Sequence, residues 1–135
     1  MDGSRKSKAG LRYALSEFPD AELTVLHVMT PYEEWSVDGG DPSGARVDEW
    51  YDRSRAVADD VFEVAAEIAS ELNGQVDTDL AIGEPWREIV AYAREHDIDH
   101  VIMGSHGRSE EAPLPLGSVA ETVMRRSPVL VSIVR

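Results

Sequence analysis

The sequence predicts a three-layer α/β sandwich with a parallel sheet. Helical and strand patterns alternate along all 135 residues, and alternating units of this kind place helices on both faces of a parallel sheet. Two segments, Leu23–Val28 and Val129–Val134, are almost continuously apolar, which is typical of strands covered on both faces. With 42% hydrophobic residues, the chain can build one core, so we expect a single domain over residues 1–135.

A helix, a strand and a long second helix are predicted in the first half. Apolar residues at helical spacing indicate a first helix from about Ser4 to Phe18, which Pro19 ends. Residues 29–45 follow the strand Leu23–Val28 and contain prolines, glycines and acids, so we expect a loop or partial lid there. The second helix ends at Asn73-Gly74, and its apolar positions are Val57, Val61, Ala65, Ile68 and Leu72.

The second half begins with a strand that has one solvent-exposed face. Apolar and polar residues alternate from Val76 to Ile82, which indicates a strand at a sheet edge. Pro85 suits the first turn of a third helix, and His100–Met103 is the next strand. The apolar stripe of the third helix is Trp86, Ile89, Val90 and Ala93, and that of a last helix opening at Ser118 is Val119, Ala120, Val123 and Met124.

Charge and composition exclude several classes of partner and chemistry. The net charge is −13, so nucleic acid and anionic membranes would be repelled. No apolar run reaches the ~18–20 residues of a membrane span and no leader begins the chain, so we expect a cytoplasmic protein. The absence of cysteine excludes disulfides and thiol catalysis. Dispersed acids with few lysines are similar to proteins of salt-loving organisms.

The most informative motif is Gly104-x2-Gly107-x9-Gly117-Ser118. It lies between the end of a strand and the start of a helix, where backbone N–H groups and the helix dipole favour an anion. Its glycines let the backbone approach a ligand, Ser118 can cap the helix or donate to phosphate, and Arg108 adds positive charge. A lone G-x-x-G is as often purely steric, but the full spacing predicts a phosphate site.

On these residues, together with Asp2-Gly3-Ser4, Leu26-His27-Val28 and Gly117–Glu121, the chain resembles the ATP-binding subgroup of the universal stress protein (UspA-like) family. The resemblance implies a Rossmann-like sheet of the adenine nucleotide alpha hydrolase type with strand order 3-2-1-4-5. It also implies ATP, or ADP or AMP, as ligand, Mg2+ held mainly by phosphates, a role in stress response or signalling, and a homodimer through the last strands. The cofactor-binding residues it implies are Asp2, Val28, Met103, Gly104, His106, Gly107, Arg108, Gly117, Ser118 and Val119.

No catalytic constellation is visible in the sequence. A P-loop and a nucleophile elbow are missing, and no lysine lies near the glycine motif. We therefore expect a binding protein with at most slow, incidental ATP hydrolysis, and no metal site made by side chains. We expect His27 and His100 to be structural and His96 to lie at a helix end, whereas His106 shapes the loop or contacts phosphate. The alternative function is a dimeric scaffold of the same fold that binds no nucleotide.

Two features depart from the family pattern. Glu110 and Glu111 lie in the spacer of the glycine motif and should weaken triphosphate binding unless salt or Mg2+ screens them. Met1 stands directly before the Asp2-Gly3-Ser4 turn, where relatives have an apolar first strand, so that strand is absent from this chain. Three outcomes are possible: a start assigned too late, a strand donated by a neighbouring chain, or closure of strands 2 and 4 on each other. We expect the first.

Overall fold

The computed structural model describes residues 1–31, 44–107 and 115–135. Most of the loop predicted at residues 29–45, with Tyr32 and Trp35, lies outside the described residues. Four helices and four strands alternate within the described part, which confirms the predicted α/β class. No helix there is long and apolar enough to cross a membrane. The elements are α1 (Arg5–Glu17), β1 (Thr24–Met29), α2 (Gly44–Glu71), β2 (Asp77–Ile82), α3 (Pro85–Glu95), β3 (His100–Gly104), α4 (Ser118–Arg126) and β4 (Leu130–Val134).

The strands form two separate parallel pairs. Strand β1 pairs with β2 from Thr24 opposite Asp77 to Met29 opposite Ile82. Strand β3 pairs with β4 from His100 opposite Leu130 to Gly104 opposite Val134. Within the described residues β1 and β3 do not pair with each other, so the two inner strands have not closed together. Met1 lies beside β1, where its amino group donates a hydrogen bond to the Leu26 carbonyl.

Two pairs of packed helices cover the strands. Helix α1 contacts α2, β3 and β4, and α2 contacts β1, whereas α3 contacts β1 and α4. Side chains of α1, β1 and α2 form an apolar cluster, and burial of this apolar surface stabilises the fold. Its buried members are Leu11, Leu15, Val25, Ala65, Ile68 and Ala69.

The helix ends agree with the local signals in the sequence. Ser4 caps α1, because its Oγ accepts a hydrogen bond from the Ser7 N–H at 3.2 Å. At the end of α2 it is Asn73, with φ of 56°, that takes the left-handed conformation. The Gly74 N–H then donates to the Ala69 carbonyl at 2.8 Å, which satisfies an end carbonyl of the helix.

The predicted apolar stripes of α2 and α4 are wrong in part. Val57 and Leu72 are each 42% exposed, and Met124 is 48% exposed. Half of the buried residues of these two helices are alanines, whose small side chains let the helices approach their neighbours closely. The buried residues are Trp50, Ala58, Val61, Ala65, Ile68 and Ala69 in α2, and Ala120 and Val123 in α4.

Strands β2 and β4 are the outer members of their pairs, and β2 pairs with β1 alone among the described strands, as expected of an edge strand. Asp77 and Thr78 of β2 are exposed, and Asp79 is half-buried. Leu130 of β4 is 66% exposed, while the remaining residues of that strand are half-buried. The two outer edges therefore differ in chemistry, since one is acidic and the other apolar.

Candidate functional site

A cavity of about 390 Å³ lies between β1 and β3. Its volume is within the range of ~300–1,000 Å³ found for small-molecule sites. Backbone and side chains of both strands form two sides, Gly10 and Leu11 of α1 form another, and Ile89 of α3 lines it as well. Because β1 and β3 are not joined by a ladder, the cavity extends along the strands as well as beyond their carboxyl ends.

Most of the residues predicted to bind a ligand line this one cavity. The exceptions are Ser118, which is exposed and does not line it, and Arg108, which lies outside the described residues together with Glu110 and Glu111. The structure thus brings together residues that are up to 117 positions apart in the sequence, from 2 to 119. The predicted residues that line the cavity are Asp2, Val28, Met103, Gly104, His106, Gly107, Gly117 and Val119.

Ser105 joins the two halves of the glycine motif. Its carbonyl accepts a hydrogen bond from the Gly117 N–H at 2.6 Å, and its own N–H donates to the Val134 carbonyl at 2.9 Å. The residue is 1% exposed, and its Oγ lies 3.1 Å from Nδ1 of His106. The start of α4 is therefore fixed against the end of β3 by backbone contacts, independently of the spacer between them.

The first helical turn of α4 faces the cavity. Gly117 is the N-cap residue and provides no side-chain cap, so the interpretation of Ser118 as the capping residue is wrong. Ser118 is instead the first residue of the helix. Val119 and Ala120 both line the cavity, and N–H groups at these positions have no carbonyl partner within a helix. This end of α4 therefore presents hydrogen-bond donors and the positive end of a helix dipole.

Asp2 reaches from the first turn of the chain towards the glycine loop. Its Oδ1 accepts a hydrogen bond from the Ser4 N–H at 2.9 Å. A Cβ atom added at Gly107 would lie 2.9 Å from Asp2 Oδ2, so the absence of a side chain at Gly107 leaves room for the carboxylate. A carboxylate accepts hydrogen bonds from hydroxyl groups and repels phosphate, so this side of the cavity suits a sugar better than a phosphate.

Gly104 has a structural role that the sequence did not indicate. A Cβ atom at this position would lie 2.6 Å from the backbone carbonyl carbon of Lys6 and 2.8 Å from Lys6 Cβ. The glycine is therefore required for the close approach of α1 to β3, whatever its contact with a ligand. It still lines the cavity through its backbone.

The histidines outside the motif have structural partners. His27 is 8% exposed, and its Nδ1 lies 2.6 Å from the Met1 carbonyl oxygen. Nε2 of His100 lies 2.7 Å from Oγ of Ser132. His96 caps the end of α3 and stacks on the ring of Tyr92 at 3.8 Å. These three placements confirm the predicted roles of the histidines away from the glycine motif.

Tyr92 links α3 to the outer strand β2. Its hydroxyl donates to Oδ2 of Asp79 at 2.9 Å. Desolvation, followed by this hydrogen bond and the charge of Asp79, raises the pKa of Tyr92 above its ordinary value. Asp79 is thus engaged by a neighbouring side chain, and no cluster of three or more acids and histidines suited to a metal ion occurs in residues 1–31, 44–107 and 115–135.

Sequence reasoning missed several lining residues. Thr30 follows β1, and Pro85 and Ile89 belong to the start of α3. The rule that ligands of parallel sheets bind beyond the carboxyl ends of strands could have found Thr30. No sequence signal indicated that Met1 would line the cavity, because its position depends on how the first turn is packed, whereas Ser105 lies within the glycine motif that predicted the site.

Comparison with known proteins agrees with this architecture. The model of the "Universal stress protein family" matches residues 1–135 of the chain. The universal stress protein YxiE of Bacillus subtilis is 33% identical over 143 aligned residues, which cover 100% of this chain and 95% of YxiE. The structure of UspA from Lactobacillus plantarum superposes with a TM-score of 0.82 at 21% identity, covering 100% of this chain and 93% of UspA.

Two further similar structures contain adenine nucleotides. A universal stress protein in complex with cAMP has a TM-score of 0.69 and 26% identity, with 100% of this chain and 92% of that protein covered. The universal stress protein from Archaeoglobus fulgidus in complex with dAMP has a TM-score of 0.68 and 21% identity, with the same coverages of 100% and 92%.

Proposed function

We propose that this chain, which belongs to the universal stress protein family, binds an adenine nucleotide, ATP above all, between β1 and β3. The observation that supports this best is the hydrogen bond from the Gly117 N–H to the Ser105 carbonyl. It holds the helix end that suits phosphate beside the loop at the end of β3. The cAMP complex of a family member at 26% identity gives independent support.

The chemistry of the cavity walls suggests how the nucleotide lies. The phosphates lie at the first turn of α4 and at Gly107, where backbone N–H groups favour anions. The ribose hydroxyls donate to the carboxylate of Asp2, and the adenine lies against the backbone at Val28. Mg2+, when present, is held mainly by the phosphates and water.

We propose that the protein binds the nucleotide without hydrolysing it at an appreciable rate. The two lysines of the sequence are Lys6 and Lys8, and both belong to α1, where the backbone of Lys6 packs against Gly104. Neither lines the cavity. The role of the protein is then one of signalling or stress response, in which the binding of nucleotide is the signal.

Isothermal titration calorimetry with ATP, ADP and AMP tests the proposed function. We expect saturable binding of at least one of the three, with a stoichiometry of one nucleotide per chain. Mass spectrometry of the protein as purified should detect any nucleotide that remains bound. If none of the three binds across a range of salt and Mg2+ concentrations, the alternative of a dimeric scaffold without nucleotide is favoured.

The spacer acids give a prediction about affinity. Changing Glu110 and Glu111 to glutamine should raise ATP affinity several-fold at low salt, because two negative charges near a triphosphate are removed. The gain should disappear at high salt, where such charges are screened. The matched control is Glu63→Gln with Glu67→Gln, since both are exposed on α2 and change the net charge equally. An equal gain in ATP affinity in this control would show that the effect of Glu110 and Glu111 comes from net charge and not from their position.

The apolar edge of β4 leads us to propose a homodimer. Leu130 at its start is 66% exposed, and apolar strand edges tend to be paired or covered. We expect sedimentation equilibrium at high salt to give twice the mass of one chain, and Leu130→Glu to weaken the association. A chain that remains monomeric at all protein concentrations tested would disprove this proposal.

A further inference from the structure

The chain leaves the sheet at Thr30, the residue that directly follows β1. The pairing of β1 with β2 ends at Met29, which lies opposite Ile82, so Thr30 lies beyond the ladder. Thr30 is exposed and lines the cavity. A residue of the candidate site therefore depends on contacts other than strand pairing for its position.

The indole of Trp50 supplies such a contact from α2. Trp50 is 7% exposed, and its Nε1–H donates to the Thr30 carbonyl at 3.2 Å. A buried indole N–H usually has a hydrogen-bond partner, and a backbone carbonyl outside a ladder needs a donor of its own. One hydrogen bond serves both groups and fixes the end of β1 against α2.

Trp50 is not among the described residues that line the cavity. It touches the site only through the backbone of Thr30, which separates the indole from any ligand. An effect of Trp50 on ligand binding would thus be an effect on where Thr30 lies.

The same end of β1 is joined to the start of α3. The Gly83 N–H donates to the Met29 carbonyl at 3.0 Å, and Pro85, two residues later, begins α3. Pro85 and Val28 line the cavity together with Thr30. These three lining residues are uncharged and largely apolar, so this wall suits the flat surface of a nucleobase. The proposed phosphate position at α4 and the carboxylate of Asp2 leave this wall for the base.

We propose that Trp50 is a positioning residue for the nucleobase and acts by fixing Thr30. The inference rests on the proposed function, since it concerns the base of the nucleotide that binds in this cavity. A purine has a second ring and contacts more of the wall than a pyrimidine does. The hydrogen bond from Trp50 to Thr30 therefore favours ATP over UTP, which has the same ribose and triphosphate but a smaller base.

The test is isothermal titration calorimetry of the native chain and of Trp50→Phe with ATP and with UTP. Phenylalanine keeps an aromatic ring in place and removes the N–H donor. We expect the native chain to prefer ATP. Trp50→Phe should lower ATP affinity about fivefold, the net value of one hydrogen bond, and should change UTP affinity less than about twofold.

Two variants control for general effects of the substitution. Trp86→Phe also removes an indole N–H, which donates to Oε1 of Glu84 at 2.8 Å, and neither of these residues is among those that line the cavity. Ile68→Val removes a methyl group from a side chain on α2 that is 3% exposed, so it lowers stability without touching Thr30. Both controls should keep the native preference for ATP.

A variant of unchanged size separates the lost donor from lost volume. Incorporation of benzothienylalanine at position 50 replaces the indole N–H by sulfur and keeps the two fused rings. The preference for ATP should fall as it does in Trp50→Phe, while thermal unfolding without nucleotide shows that the protein is folded. If Trp50→Phe does not fold, this variant alone decides the question.

The outcomes separate this inference from the proposed function. Equal losses of ATP and UTP affinity would mean that Trp50 supports the whole site, and unchanged ATP affinity would mean that Thr30 does not need the indole. Either result overturns the positioning role, as does equal affinity of the native chain for ATP and UTP, while ATP binding itself stands. If the native chain binds neither nucleotide, the proposed function fails and the role of Trp50 fails with it.

Discussion

Replacing Gly104 with alanine is expected to lower the free energy of unfolding by about 3 kcal/mol, the upper part of the range for overpacked cores. The added Cβ would lie 2.6 Å from the carbonyl carbon of Lys6. That atom is backbone, so the strain can be relieved only by moving α1 away from β3. Chemical denaturation of the purified variant, followed by circular dichroism, measures the change.

Gly10→Ala is the matched control, because Gly10 lies on α1 directly opposite Gly104. A Cβ there would lie 3.6 Å from the Gly104 nitrogen, which is an ordinary contact. Alanine is also favoured over glycine in a helix interior by up to ~1 kcal/mol. We therefore expect Gly10→Ala to be neutral or stabilising. A Gly104→Ala variant as stable as the native chain would mean that α1 and β3 are farther apart than the structure shows.

Replacing Gly117 with valine is expected to weaken ATP binding at least tenfold, which corresponds to about 1.4 kcal/mol. Gly117 is buried, lines the cavity and is the N-cap residue of α4. Its φ of −74° and ψ of 165° are accessible to valine, so the expected effect comes from the volume of the side chain beside the proposed phosphate position. Calorimetry with ATP gives the affinity.

A graded series separates blockage from misfolding. Gly117→Ala adds one methyl group and should reduce affinity less than Gly117→Val. Valine is poorer than glycine at an N-cap, so thermal unfolding without nucleotide reports the cost to the helix itself. Equal affinities for ATP in the native, alanine and valine forms would show that the nucleotide does not lie at this helix end.

The alternation of strands and helices was predictable because local periodicity and breakers agree along the chain. Pro19, Pro85 and the Asn73-Gly74 pair mark element ends in the sequence, and each lies at such an end in the structure. The buried faces of α2 and α4 were predicted less well. The predicted stripes included the exposed Val57, Leu72 and Met124. They missed the buried Ala58 and Ala69, because a search for large apolar residues at helical spacing passes over small ones.

The candidate site was predictable as a set of residues but less so in their roles. The glycine spacing indicated Gly117, the family resemblance indicated Asp2 and Val28, and all three line one cavity. The role of Gly104 was not predictable, since it depends on the distance between α1 and β3. The hydrogen bond from the Gly117 N–H to the Ser105 carbonyl was not predictable either, because a hydrogen bond between backbone groups does not depend on side-chain identity.

The contrast between the two outer strands limits how many copies could assemble. Strand β2 exposes Asp77, and negative charge on an exposed strand discourages another strand from joining it. Strand β4 is apolar, with Leu130 exposed at its start. An edge that pairs with itself about a two-fold axis is used up once two copies have met. If the proposed homodimer forms through β4, the acidic edge of β2 would disfavour further strands, and we expect the assembly to stop at two chains.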